Sequence, residues 1–284
     1  MENLLLPFQF EFMQNAFLVS FIIAIPTSLL SCFLVVRGWS LMGDAVSHAV
    51  LPGIVIAYII NIPLVIGAFC AGLFCALSTG YIKENCRVKH DTVMGVVFSG
   101  MFGFGIVLIT KIETDVHLDH ILFGNMLGVS VNDLMMSFII SCLVTLFFIL
   151  KWRDLLLCSF DETHAIVSGL RVKILQFSLL ASMSLTIVAT LKALGLILSI
   201  SLIIAPGAIA FLINNRFKNM MIISIFVSFI AMLIGIYSSF WIDSAPAPTI
   251  ILVLTIIFIL AFLFKQVSRK KILLFNIIYS DIFY

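Results

Sequence analysis

The chain has 284 residues, of which 62% are hydrophobic and only 11% charged, a composition that excludes a soluble domain of this length and points to a polytopic membrane protein. Its 16 Lys and Arg against 14 Asp and Glu leave a net charge of +2, too slight to argue for a nucleic-acid partner. Six cysteines, at 32, 70, 75, 86, 142 and 158, form no CxxC pair and lie mostly in apolar runs, so neither a disulfide framework nor a thiolate metal site is expected.

The first residues, MENLLLPFQFEF, carry acid and no Lys or Arg; they lack the basic start of a cleavable signal peptide, and the first span is expected to act as an uncleaved signal. A membrane-spanning helix needs about 20 apolar residues. Windows of that size predict nine spans: Asn15–Val36, Leu41–Ile60, Pro63–Ile82, Thr92–Thr110, Leu134–Leu150, Lys173–Thr190, Leu194–Ile213, Asn219–Phe240 and Ala247–Phe264. An apolar patch within Lys111–Asp133 is able to dip into the membrane, which leaves eight spans open.

Cytoplasmic loops are enriched in Lys and Arg. Lys83, Arg87 and Lys89, then Lys151, Arg153, Arg171 and Lys173, then Arg216 and Lys218, and last Lys265, Arg269, Lys270 and Lys271 all fall in alternate loops. The opposite loops hold Glu2, Glu11, Glu113, Asp115, Asp119, Asp133 and Asp243, with Lys111 and Lys192 as their only cations. The expected topology has the amino terminus outside and the carboxyl terminus in the cytoplasm, which needs an odd number of spans and favours nine.

The second span opens within RGWSLMGDAVSHAVLPG, Arg37 to Gly53. Asp44 and His48 stand four residues apart and share one face of a helix. An ionisable side chain inside a bilayer costs about 2.5 to 3.5 kcal/mol by insertion scales, so such residues are functional candidates. The competing reading makes Asp44 a helix cap and His48 a satisfied interior histidine. As ligands, a carboxylate and an imidazole suit Mn, Fe or Zn without separating them. A transport pathway also favours few ligands of moderate strength, because the ion must be released again. Ser47, between the two, is a weaker candidate. Pro52–Gly53 in HAVLPGIVIAYII is echoed by Pro206–Gly207 in LIIAPGAIAFLI, in spans expected to run in opposite directions, which suggests an inverted repeat and kinked helices facing a pathway. An ordinary kink is the alternative. GxxxG-like spacing from Gly95 to Gly105 reads as close helix packing.

Two loops add candidates. The external VHLDHILFGN gathers Asp115, His117, Asp119 and His120, able to attract a cation at an entrance or to contact a delivering protein; a merely solvated acidic loop is the alternative. In the cytoplasmic loop, Ser159 to Glu162 reads as an S-x-x-E capping box and Gly169 as a helix C-terminal glycine, which predicts a short helix over Phe160–Ser168 carrying Asp161, Glu162 and His164. No GxxxxGK[ST] phosphate loop, G-x-S-x-G or H-E-x-x-H occurs, so ATP binding of that kind and common catalytic arrangements are not expected in this chain.

The run CFLVVRGWSLMGDAVSHAVLPG resembles the signature of the permease subunit of bacterial ABC importers for manganese, iron or zinc. DTVMGVVFSGMF, HILFGNMLGV, SFDETHA and LIIAPGAIA agree with it in sequence order, and VHLDHILFGNMLGV is most similar to the manganese/iron (chelated iron) system of enteric bacteria. The resemblance implies an all-α integral membrane permease of the type II ABC importer kind in the bacterial inner membrane, working as a homodimer whose pathway lies between protomers. Two copies of Asp44 and His48 would then converge, with Ser47 and His120 as weaker metal-contacting positions. It also implies that Ser159, Asp161, Glu162, His164 and Gly169 belong to a coupling helix. Its partners are a second permease copy, cytoplasmic ATPase subunits that use the ATP, an extracytoplasmic metal-binding protein and membrane lipid. No cofactor is bound permanently; Mn2+ or Fe2+, with Zn2+ possible, is cargo. The rival readings are a proton-coupled secondary metal transporter and an intramembrane metalloenzyme.

Overall fold

The structure is a computed structural model that describes residues 2–111, 124 and 126–280. Among the described residues there is no strand, and nine helices are long and apolar enough to cross a membrane. The expected all-α class and the count of nine both hold.

Helix α1 (Glu11–Arg37) is the axis of the fold, packed along α6, α8 and α9. It stops at Gly38, whose φ of 70° is left-handed. The Gly38 amide donates to the Val35 carbonyl (3.1 Å) and the Trp39 amide to the Leu34 carbonyl (2.8 Å), which uses two carbonyls a helix end otherwise leaves unpaired. The chain then re-enters as α2 (Ser40–Ala49) and α3 (Leu51–Ile60), which form one span. Pro52 has no amide to donate, yet Val50 still bonds Val46 and Ile54 still bonds Val50, each at 3.2 Å.

Helices α4 (Leu64–Asn85) and α5 (His90–Lys111) follow. Helix α3 meets α4 backbone to backbone: a Cβ on Gly53 would lie 2.1 Å from the Gly67 carbonyl oxygen. Only hydrogen fits there. The expectation of packing from Gly95 to Gly105 is corrected in part: among the described residues Gly105 lies against Pro52, whereas Gly95, Gly100 and Gly103 have nothing within 4 Å of their Cβ directions.

Helix α6 (Val131–Phe160) is capped by Ser130, whose hydroxyl accepts from the Asp133 amide at 3.3 Å. It runs past Leu150, where the hydropathy falls, because Lys151 and Asp154 pair at 3.0 Å on a helix that simply continues beyond the apolar layer. After the one-and-a-half-turn α7 (Glu162–Val167) comes α8 (Val172–Ile213), which contains two spans, Val172–Leu191 and Ala193–Ile213, joined through Gly195 at φ 79° and ψ 172°. Helices α9 (Phe217–Ile242) and α10 (Pro246–Ser280) complete the bundle.

Two apolar clusters share α1. One holds Phe33, Met42, Val46, Phe148, Leu179 and Met183; the other holds Met13, Phe17, Leu198, Leu202, Ile236 and Ile250. In lipid, apolar surface alone does not drive helices together, so small residues and interhelical hydrogen bonds carry much of the specificity. Accordingly Ser184 donates to the Phe69 carbonyl, Ser224 to the Ser28 carbonyl (both 3.0 Å) and Ser31 to the Ile204 carbonyl (3.1 Å). Outer faces are apolar: Phe74, Val96, Leu143, Leu150, Phe226 and Leu252 are exposed. Helix ends expected on one side gather there, as Arg37 with Ser159 and Phe33 with Phe217. Phe8 with Tyr237 and Phe10 with Phe240 gather at the other.

Candidate metal site and docking corner

The Gly38 turn sets α2 at an angle that lets Gly43 lie against Ile203, where a Cβ would be 2.7 Å from the isoleucine methyl. That contact fixes the helix rotation. Leu41, Asp44 and His48 are left on the partly open face, while Met42, Ala45, Val46 and Ala49 are buried. The side chains of Asp44 and His48 are 38% and 26% exposed. His48 Nδ1 lies 3.3 Å from Asp44 Oδ1 and 3.1 Å from the Asp44 carbonyl oxygen. Both neighbours are acceptors only, which places the proton on Nδ1 and leaves Nε2 with a lone pair for an ion. Phe102 meets the imidazole edge-on at 5.3 Å and Phe98 flanks it at 6.1 Å, so α5 aromatics hold the ring in place.

Neighbours also fix the depth of the pair. Val46 and Val50 face Gly72 and Ser184, near the middles of α4 and of the first span in α8, and Phe98 and Phe102 are in the middle of α5. The imidazole therefore lies beside the middles of α4, α5 and the first span of α8, with the Asp44 carboxylate one turn nearer the Gly38 end of the span. They number two. No cluster of three or more His, Cys, Asp or Glu suited to a metal exists among the described residues.

Ser47 does not join the pair. It is 1% exposed and donates to the Gly43 carbonyl at 2.7 Å on the buried side of α2. Pro52 and Gly53 are buried against α4 and α5, and Pro206 and Gly207 against α1, where the Gly207 amide donates to Ser31 Oγ at 2.9 Å. Both dipeptides thus make packing contacts within the chain. Asp115, His117, Asp119 and His120 lie outside the described residues.

The second corner is α7. The capping box expected from Ser159 is not formed: α6 continues through Phe160, and Ser159 donates back to the Leu155 carbonyl at 2.6 Å. The cap is Asp161, at φ −147°, whose Oδ1 accepts from the His164 amide at 2.9 Å. Asp161 is free of helical geometry while Ser159 is not, and a cap must be. Gly169 does end the helix at φ 79°, with the Leu170 amide reaching the Ala165 carbonyl at 3.0 Å. Glu162 accepts from Gln176 Nε2. Ala165 anchors α7 to the core, while Phe160 at the end of α6 and Ile166 and Val167 on α7 are 73%, 63% and 80% exposed, an apolar rim at the α6–α7 corner. Sequence reasoning named the polar residues of α7 and overlooked this rim, although three large apolar side chains in a charged loop were there to be read. It also passed over Arg37 as a side chain: the guanidinium stacks on Trp39 (4.8 Å) and donates through Nε to Ser159 Oγ at 2.9 Å.

Comparison with known proteins converges on one group. The family model described as the ABC 3 transport family matches residues 9–265. The chain belongs to the ABC 3 transport family. Within the range of this family it is 51% identical, over 93% of its length and 89% of the relative's, to the chelated iron transport system membrane protein YfeD of Yersinia pestis. It is 43% identical to the manganese transport system membrane protein MntB of Synechocystis, over 90% of this chain and 83% of that one. Among solved structures it is similar to PsaBC from Streptococcus pneumoniae in complex with Fab, with a TM-score of 0.81 and 34% identity, covering 89% of this chain and 91% of that one. The ABC 3 assignment and the apolar helices make the chain a multi-pass membrane protein of a transport family.

Proposed function

We propose that the chain is the permease of an ABC importer for divalent transition-metal ions, manganese or ferrous iron, in the bacterial inner membrane. The observation that carries this reading is the Asp44–His48 pair: two hard-to-intermediate ligands within a membrane span, partly open to one face, and too few to hold an ion alone. Zinc has the same ligand preferences, but the named relatives are iron and manganese systems. A second permease chain, another copy of this one, brings a facing Asp44 and His48 and completes four ligands around the pathway. The set is weak enough to release its ion, as conduction requires.

ATP is hydrolysed by separate cytoplasmic subunits that seat on the α6–α7 corner through Phe160, Ile166 and Val167, and an extracytoplasmic binding protein delivers the ion. Orientation follows the Lys and Arg loops, with the amino terminus outside and the carboxyl terminus inside. Reconstitution in proteoliposomes tests the reading. ATP-dependent Mn2+ or Fe2+ uptake by the chain together with its ATPase supports it; uptake by the chain alone under a proton gradient establishes the secondary-transporter rival instead, and turnover of a substrate without net ion movement establishes the metalloenzyme.

A further inference from the structure

The Arg37 guanidinium is anchored at one atom. Nε donates to Ser159 Oγ, the ring of Trp39 covers one face, and Nη1 and Nη2 are buried without a hydrogen-bond partner among the described residues. A buried unpaired cation is costly, and a guanidinium fork matches a carboxylate in bidentate fashion. One carboxylate is at hand. Glu162, the first residue of α7, stands three residues on from Ser159, the partner of Arg37, and has its side chain bonded to Gln176. Beside it lies a cleft of about 370 Å3 lined by Trp39, Lys83, Glu162 and Gln176 among others, so the glutamate has room to change partner.

The position of Arg37 gives the exchange a consequence. It is the last residue of α1, followed by the left-handed Gly38 turn and then by the helix that bears Asp44, two turns on. Ser159 and Glu162 flank the α6–α7 corner. Arg37 therefore ties the start of the metal-bearing helix to the docking helix.

We propose that Arg37 and Glu162 form a two-position latch: in the state described here Glu162 is held by Gln176 and Arg37 by Ser159 and the Trp39 ring, and when α7 is displaced Glu162 transfers to the Nη groups of Arg37, carrying α7 movement to α2. This rests on the reading of α7 as the seat of an ATPase. Arg37 is a positioning residue and touches no ion.

The experiment uses the full permease–ATPase complex in proteoliposomes and reads ATP hydrolysed per Mn2+ imported. In the latch, Arg37→Gln and Glu162→Gln each raise that ratio roughly five-fold or more, and the double variant is no worse than either single, because both remove one interaction. Arg37→Lys, which keeps charge but loses the fork, recovers only part. Additive effects of the two Gln variants, or wild-type ratios in both, overturn the latch. If wild-type complex shows no ATP-driven uptake at all, it is the importer reading that fails. A structure of the unmodified complex trapped with a non-hydrolysable ATP analogue covers the case in which Arg37→Gln does not fold: Glu162 on Arg37 Nη supports the latch, and Glu162 still on Gln176 with Nη unpaired overturns it.

Discussion

Two Pro-Gly pairs occupy comparable places in their spans, and the molecule uses the ground around them differently. Pro52–Gly53 follows Asp44 and His48 by one to two turns, on a segment whose other side is open. Pro206–Gly207 lies in the second span of α8 and is closed over by α1, with Ser31 accepting from the Gly207 amide and donating to the Ile204 carbonyl. Each glycine permits a close backbone approach, to Gly67 in one case and to Ser31 in the other. The dipeptide is thus a packing device in both. What separates the two regions is the pair of ionisable side chains ahead of the first, of which an aspartate within a bilayer costs about 2.5 to 3.5 kcal/mol by insertion scales.

That contrast is open to attack by substitution, and the largest expected effect belongs to the proposed ligands. Asp44→Ala and His48→Ala should reduce ATP-driven Mn2+ uptake to background while the protein still inserts and melts cooperatively in detergent; normal uptake in either variant removes the distinction between the regions. Next comes packing. Gly53→Ala puts a methyl 2.1 Å from a backbone oxygen that has no flexible end to yield, so thermal stability should fall by about 2 to 3 kcal/mol, as overpacked sites do. Gly207→Ala meets Ser31 at 2.5 to 2.6 Å, and a loss of about 1 to 2 kcal/mol with uptake retained in the folded fraction is expected. Ser31→Ala removes one accepted and one donated bond across α1 and α8, worth about 1 kcal/mol in a membrane bundle. Smallest of all, Ser47→Ala should leave Mn2+ uptake unchanged, because its hydroxyl serves Gly43 inside the chain; strong loss of uptake there would return Ser47 to the ligand set.

Much of this was legible before any coordinates. Bilayer thickness sets span length, so hydropathy found the nine apolar helices, and spacing put Asp44 and His48 on one face. Other features were hidden for identifiable reasons. Hydropathy follows transfer from water to lipid and is blind to a helix that continues past it, which is why α6 overruns Leu150 to Phe160. That overrun in turn swallowed Ser159 and passed the cap to Asp161, a choice between two good capping residues that composition could not make. The burial of Ser47 depends on Gly43 meeting Ile203, a contact 160 positions apart in sequence, and the seat of Arg37 depends on Ser159, 122 residues away. Tertiary contacts of that range leave no local pattern.

The central claim is that Asp44 and His48 from two facing chains hold one transported ion between them. Electron paramagnetic resonance of Mn2+ bound to the purified permease–ATPase complex addresses it directly, because coupling to imidazole nitrogen reports His48 as a ligand. A single Mn2+ shared by two permease chains, showing nitrogen coupling that disappears in His48→Ala, is the result predicted here; Mn2+ bound independently by each chain, or nitrogen coupling that survives His48→Ala, contradicts it.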